Sequence, residues 1–139
     1  MSRRSAREAV FKVLFQSDIT GEAPETVLSQ EFFQESLPQE ADRDFARELA
    51  AGIGEETRRL DEELTPYLKK WHLKRLPVAD RAILRLAIYE ILHVKEVPAK
   101  VSINEALELA KKYGDAKSAP FINGVLDSIL KDLKEESRE

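Results

Sequence analysis

The sequence predicts an all-α protein of about seven helices arranged in two packed helical subdomains. Three observations lead there. Apolar residues recur at steps of three and four along nearly the whole chain, while the period-two alternation of half-buried strands is scarce. Proline and glycine fall mostly between these periodic stretches, where they punctuate them. One stretch, 78–94, is apolar on several faces, as a helix at the centre of a bundle must be. With 139 residues, 42% of them hydrophobic, the chain can build a sizeable core as one domain with an N-terminal half of about 1–76 and a C-terminal half of about 77–139.

The elements follow in order. A first helix is expected over 4–18, ending near Gly21. A second, over 24–36, carries Val27, Leu28, Phe32 and Phe33 on its apolar side and stops at Leu37-Pro38. A third, over 40–63, turns Phe45, Leu49, Ile53, Leu60 and Leu64 inward, with Gly52 and Gly54 as places where it bends or loosens. Pro66 opens a short fourth helix ending near Leu73. Pro77 precedes the fifth, over 78–94, whose Ile83, Leu84, Leu86, Ala87, Ile88, Ile91 and Leu92 cover several faces.

After Val97-Pro98, Ser102 and Glu105 make an S-x-x-E capping box, which predicts the start of a sixth helix. Ala106, Leu109, Ala110 and Tyr113 continue its apolar stripe, and Gly114 stands where a left-handed cap would end it. Pro120 suits the first turn of a seventh helix with Phe121, Ile122, Val125, Leu126, Ile129 and Leu133 inward, and the charged tail 131–139 is expected to fray. Inside that helix sits Asn123-Gly124. A helical glycine costs about 1 kcal/mol against alanine, and the plain reason to keep one is close approach of another backbone.

Composition limits the function classes. There is no cysteine, so disulfides and thiolate metal sites are excluded. No run approaches the ~20 apolar residues of a membrane span, so a soluble, cytoplasmic protein is expected. The two histidines, His72 and His93, stand apart with no ordered carboxylate spacing, which leaves neither a metal site nor a nucleophile-base pair. Gly52-Ile53-Gly54 lacks the third glycine and the preceding strand of a phosphate-cradling loop. A non-enzymatic protein without cofactor or metal is expected.

The net charge of −4 hides a segregation of sign. Residues 1–12 carry four basic side chains against one acid, residues 21–63 carry thirteen acids against four arginines, and from residue 64 fourteen basic residues face eleven acids. Arg3, Arg4 and Arg7 gather at a helix N-terminus, where the macrodipole already disfavours cations and an anionic ligand would relieve the repulsion; a plain solubilising tail is the alternative reading. Arg4, Arg7, Phe11 and Phe15 follow three- and four-residue steps and share one stripe, with either phenylalanine open to a core role. A second candidate surface is the corner 111–121, which mixes Lys111, Lys112 and Lys117 with Tyr113 and Phe121. Lysines meet phosphates and aromatic rings stack unpaired bases, the mixture that binds single-stranded RNA. The pattern alone slightly favours both rings plugging the bundle, since Tyr113 is in register with Ala106, Leu109 and Ala110.

Three motifs in chain order carry a family resemblance. Asn104 to Lys111 reads N-E-A-x-E-L-A-K, Gly114 marks the corner, and Phe121 to Asp127 reads F-I-N-G-V-L-D. Ser2 to Glu8 gives an Arg-rich entry into a helix, and Asp80 to Glu90 a central apolar helix. Together they resemble the NusB family of bacterial transcription antitermination factors over effectively the whole chain. The resemblance implies a two-part helical bundle and an RNA-binding adaptor. With its partner NusE, a ribosomal small-subunit protein, it would hold the boxA element of nascent ribosomal RNA near RNA polymerase.

On the residues here, the resemblance implies RNA contacts from Arg3, Arg4, Arg7, Lys111, Tyr113, Lys117, Ser118 and Phe121, and a partner face with Phe15 and Asp80. Asp80 is equally placed to be a simple N-terminal helix charge. Lys117 occupies a corner position that is acidic in some relatives, which should strengthen phosphate attraction. Two rivals stand beside this reading. NusB-like domains also occur in certain ribosomal RNA methyltransferases, but no dinucleotide-type glycine fingerprint is present, so no S-adenosylmethionine binding is expected. A helical interaction module is the other, including a homodimer through an apolar patch of Phe11, Phe15 or Tyr89.

Overall fold

Helix α1 (Arg3–Thr20) buries Ala6, Val10, Val13 and Leu14 along one arc and ends on Gly21, whose φ of +83° lets its N–H reach the Ser17 carbonyl at 2.8 Å. The computed structural model describes residues 3–137, apart from the side chains of Phe32, Gln34, Glu136 and Ser137. It divides into two compact units, the first reaching Thr57 and the second beginning at Arg58. The boundary falls inside a continuous helix.

In the first unit α1 packs on α2 (Pro24–Leu28). The single helix expected over 24–36 is two, α2 and α3 (Glu31–Ser36). At the break the Gln30 N–H bonds back only three residues, to the Val27 carbonyl at 3.2 Å, and the Ser29 hydroxyl takes the Thr26 carbonyl at 2.7 Å. A side chain that competes for backbone groups in this way ends a helix. Val27, Leu28 and Phe33 are buried; the side chain of Phe32 lies outside the described residues. Helix α4 (Glu40–Leu64) runs without interruption through Gly52 and Gly54. At Gly54 a Cβ would lie 3.1 Å from Pro24 Cδ, so this glycine admits α2 and does not loosen α4. The Arg43 guanidinium donates to the Leu37 and Pro38 carbonyls, both at 2.8 Å, and ties the preceding loop to the helix start.

The second unit opens with the last turns of α4, where Leu60 and Leu64 are buried. The helix expected from Pro66 to Leu73 does not form. Two 3₁₀ turns, Thr65–Tyr67 and Leu73–Arg75, flank Lys69, whose φ of 58° takes the chain out of the right-handed helical region. Arg81 fastens the second turn by donating to the carbonyls of Leu73, Lys74 and Leu76 at 3.0–3.2 Å.

Helix α5 (Val78–His93) is the buried centre: Ala82, Ile83, Leu84, Leu86, Ala87 and Ile88 are each at most 2% exposed. It packs against both α6 (Ala99–Tyr113) and α7 (Ser118–Ser137), which also pack on each other. Each fully buried Leu or Ile contributes about 1.5–3 kcal/mol, so α5 contributes strongly to the stability of this unit. Its Arg85 forms a two-point ion pair with Asp61 of α4, both bonds 2.8 Å.

Two expectations about α6 are corrected. Its N-cap is Pro98, without a side-chain cap, so Ser102 is not a capping residue. The helix starts one turn earlier, and the Ser102 hydroxyl, 1% exposed, instead donates to the buried Glu90 carboxylate at 3.2 Å. Gly114 is extended (φ −93°, ψ −173°) and not left-handed. It is required for space: a Cβ would overlap the Ser118 side chain and sit 2.8 Å from the Ala110 carbonyl oxygen. Helix α7 continues through Ser137, with the Tyr67 hydroxyl donating to the Asp132 carboxylate at 2.6 Å; residues 138–139 of the charged tail lie outside the described residues.

Candidate nucleic-acid interface

The start of α1 holds three arginines and no acidic residue in its first turn. They are not equivalent. The Arg3 guanidinium carbon lies 4.4 Å above the Phe45 ring and that of Arg7 5.7 Å from the same ring. Arg7 is only 5% exposed, so much of its side chain is packing, whereas Arg4 stands in solvent. Ser2 of the Arg-rich motif lies outside the described residues.

The stripe Arg4, Arg7, Phe11, Phe15 runs along the edge of the buried arc, so its members split. Phe11 is buried at 3% exposure, while Phe15 is 37% exposed and leans on Phe11 with ring centroids 6.2 Å apart. Phe11 is therefore removed from any exposed apolar patch. Ile19, one turn beyond Phe15 and 63% exposed, joins it instead. Tyr89 is half-buried beside His93, with centroids 4.8 Å apart.

In the second unit the corner between α6 and α7 is built around Ser118. Gly114 leaves room for that side chain, which is 1% exposed. Its hydroxyl donates to the Asp80 carboxylate at 2.7 Å and accepts from the Asp115 N–H at 3.0 Å, while the Asp115 carboxylate accepts from the Lys117 N–H at 2.8 Å. Burial holds the Asp80 carboxyl above its ordinary range; the Ser118 hydrogen bond opposes this and the nearby Asp115 charge adds to it.

Asp80, 5% exposed, and Ser118 thus sit inside the unit. Neither presents an open surface to RNA or a partner, because each satisfies the other's polar group. Around this fixed corner Lys111 and Lys117 are exposed, and Tyr113 and Phe121 are half-buried, so the rings neither fully plug the bundle nor stand free. The Lys112 ammonium lies 5.4 Å from the Tyr113 ring centroid. Exposed cations beside partly open rings on a rigid corner can hold phosphates and stack bases.

Sequence reasoning missed Trp71, 53% exposed, whose ring meets Phe121 edge-on with centroids 6.5 Å apart. Its signal was available: a single tryptophan following Lys69-Lys70 in a polar stretch. The Asn123-Gly124 pair is exposed and a Cβ at Gly124 would meet nothing within 4 Å, so close helix packing does not explain it. Among the described residues no group of histidines and carboxylates could hold a metal, and no helix is long and apolar enough to cross a membrane.

Comparison with known proteins agrees with the motifs. The family profile described as the NusB family matches residues 4–131. A transcription antitermination protein NusB of Symbiobacterium thermophilum is 40% identical over 141 residues, covering 96% of this chain and 92% of that protein. The structure of T. maritima NusB in its P3121 form 2 is 42% identical with a TM-score of 0.84, covering 93% of this chain and 90% of that one. A crystal structure of antitermination factors NusB and NusE in complex with double-stranded RNA is 26% identical with a TM-score of 0.85, covering 94% and 96%.

Proposed function

The chain belongs to the NusB family, and from that premise we propose that it is a non-enzymatic, cytoplasmic transcription antitermination factor that binds RNA together with NusE. Its RNA is boxA-like single-stranded sequence in nascent ribosomal RNA, which the pair links to RNA polymerase. The observation that carries the RNA reading is the corner: Lys111 and Lys117 exposed beside the Phe121 ring, on a backbone fixed by the Ser118 to Asp80 hydrogen bond. Support for the protein partner comes from the structural relative that holds NusB, NusE and RNA in one complex.

The mechanism has two parts. Arg4, Lys111 and Lys117 capture phosphates through long-range attraction, and Phe121 and Tyr113 then hold bases by stacking. Asp80 and Ser118 act by positioning the corner. Phe15 and Ile19 offer the apolar anchor for NusE, an exposed pair on one helix face. The salt dependence of RNA binding tests the capture step. Replacing both Lys111 and Lys117 by Ala should lower the slope of log affinity against log salt by about 1.4, since each single-strand phosphate contact contributes about 0.7. An unchanged slope contradicts the assignment of the corner.

A further inference from the structure

We propose that Trp71 forms a second base-stacking subsite, in which the RNA strand leaving Phe121 lays its next unstacked base on the indole while Lys69 and Lys70 hold the flanking phosphates. This rests on the RNA reading given above and extends the strand's path beyond the corner. A groove of about 460 Å³ is lined by Tyr67, Lys69, Lys70, Trp71, Phe121 and Gly124, among others, a size that accommodates small organic ligands. Phe121 belongs to both the corner and the groove, so the two surfaces are continuous.

Four features point to a nucleotide. Trp71 leaves half of a large apolar ring in water, giving up the stabilisation that burial would bring. The lining holds two lysines and no carboxylate, which favours a polyanion. The Trp71 and Phe121 rings stand at 72° to each other, so they cannot sandwich one base between parallel faces. Gly124 is the fourth. It carries the cost of a helical glycine although, apart from its chain neighbours and its own helix backbone, nothing lies within 4 Å of where its Cβ would be, and Gly124 lines the groove. A ligand, not a neighbouring helix, explains that vacancy. Lys69, with its φ of 58°, a region that non-glycine residues rarely adopt, sets the turn that carries Lys70 and Trp71.

The test uses the full chain and its only tryptophan as reporter. A fluorescein-labelled boxA-like single-stranded RNA is titrated by anisotropy while the indole emission is followed with the unlabelled RNA. The subsite predicts quenching that tracks binding. It also predicts that Gly124→Leu, which fills the groove, weakens RNA about tenfold while leaving the melting temperature equal or higher, and that Trp71→Ala weakens it similarly with an unchanged salt slope. Wild-type RNA affinity in Gly124→Leu with unquenched indole emission overturns the subsite and leaves the corner standing. Loss of corner dependence as well overturns both. Quenching by purified NusE but not by RNA overturns it in favour of a protein contact.

Discussion

Gly114→Ala is the sharpest structural perturbation of the corner. The new Cβ would overlap both the Oγ and the Cβ of Ser118 and crowd the Ala110 carbonyl, so a change of rotamer at Ser118 is not enough and the backbone at the end of α6 or the start of α7 must shift. That shift breaks the Ser118 to Asp80 bond at 2.7 Å and the Asp115 to Ser118 bond at 3.0 Å. A hydrogen bond to an ionised carboxylate contributes about 1.5–3 kcal/mol and a neutral one about 0.5–1.5. The loss of chain entropy in the unfolded state returns about 0.4–1 kcal/mol. The net expectation is a loss of about 2–3 kcal/mol in urea unfolding, with a lower midpoint and an unchanged m-value. Ser118→Ala alone removes the same bonds, so the double variant should lose about 2 kcal/mol less than the sum of the singles. Wild-type stability in Gly114→Ala, or simple additivity of the two losses, would refute the reasoning.

Three further outcomes follow from the same geometry. Asp80 binds its proton more tightly folded than unfolded, so its contribution to stability is complete below the ordinary Asp range and is lost as pH rises through the raised folded value; Asp80→Asn, which keeps an acceptor for Ser118, should flatten that fall in pH-dependent urea unfolding, and an identical profile contradicts it. Arg7→Ala should destabilise by about 1 kcal/mol through lost packing on Phe45, while Arg4→Ala should stay within about 0.5 kcal/mol yet reduce the salt slope of RNA binding, outcomes that thermal melts and titrations separate. Asp61→Asn should cost about 1–2 kcal/mol by breaking a two-point ion pair whose side chains are only 28% and 16% exposed, and unfolding at neutral pH shows whether it does.

Periodicity made most helices legible because their apolar faces are long: α1, α4, α5, α6 and α7 lie close to their expected ranges. The failures have different causes. Ser29 ends α2 by a local bond to the Thr26 carbonyl, which its residue type permits without requiring, whereas Ser102 lies buried against Glu90 because tertiary packing brings that carboxylate near it. Lys69 leaves the helical region with a residue type that gives no warning, so the expected helix from Pro66 dissolved into two turns. At the candidate site the residue types were readable but their exposure was not. Arg7 and Arg4 are alike in sequence and opposite in burial, Ser118 and Asp80 are drawn inward by one hydrogen bond, and Trp71 gained meaning only when the fold set it beside Phe121.

The central claim is tested most directly by titrating a labelled boxA-like single-stranded RNA and a scrambled RNA of equal length at two salt concentrations, with and without purified NusE. Tighter binding to the boxA-like RNA, sharpened by NusE and weakened by salt, is the predicted result. Equal affinity for both RNAs, unaffected by NusE, would contradict it.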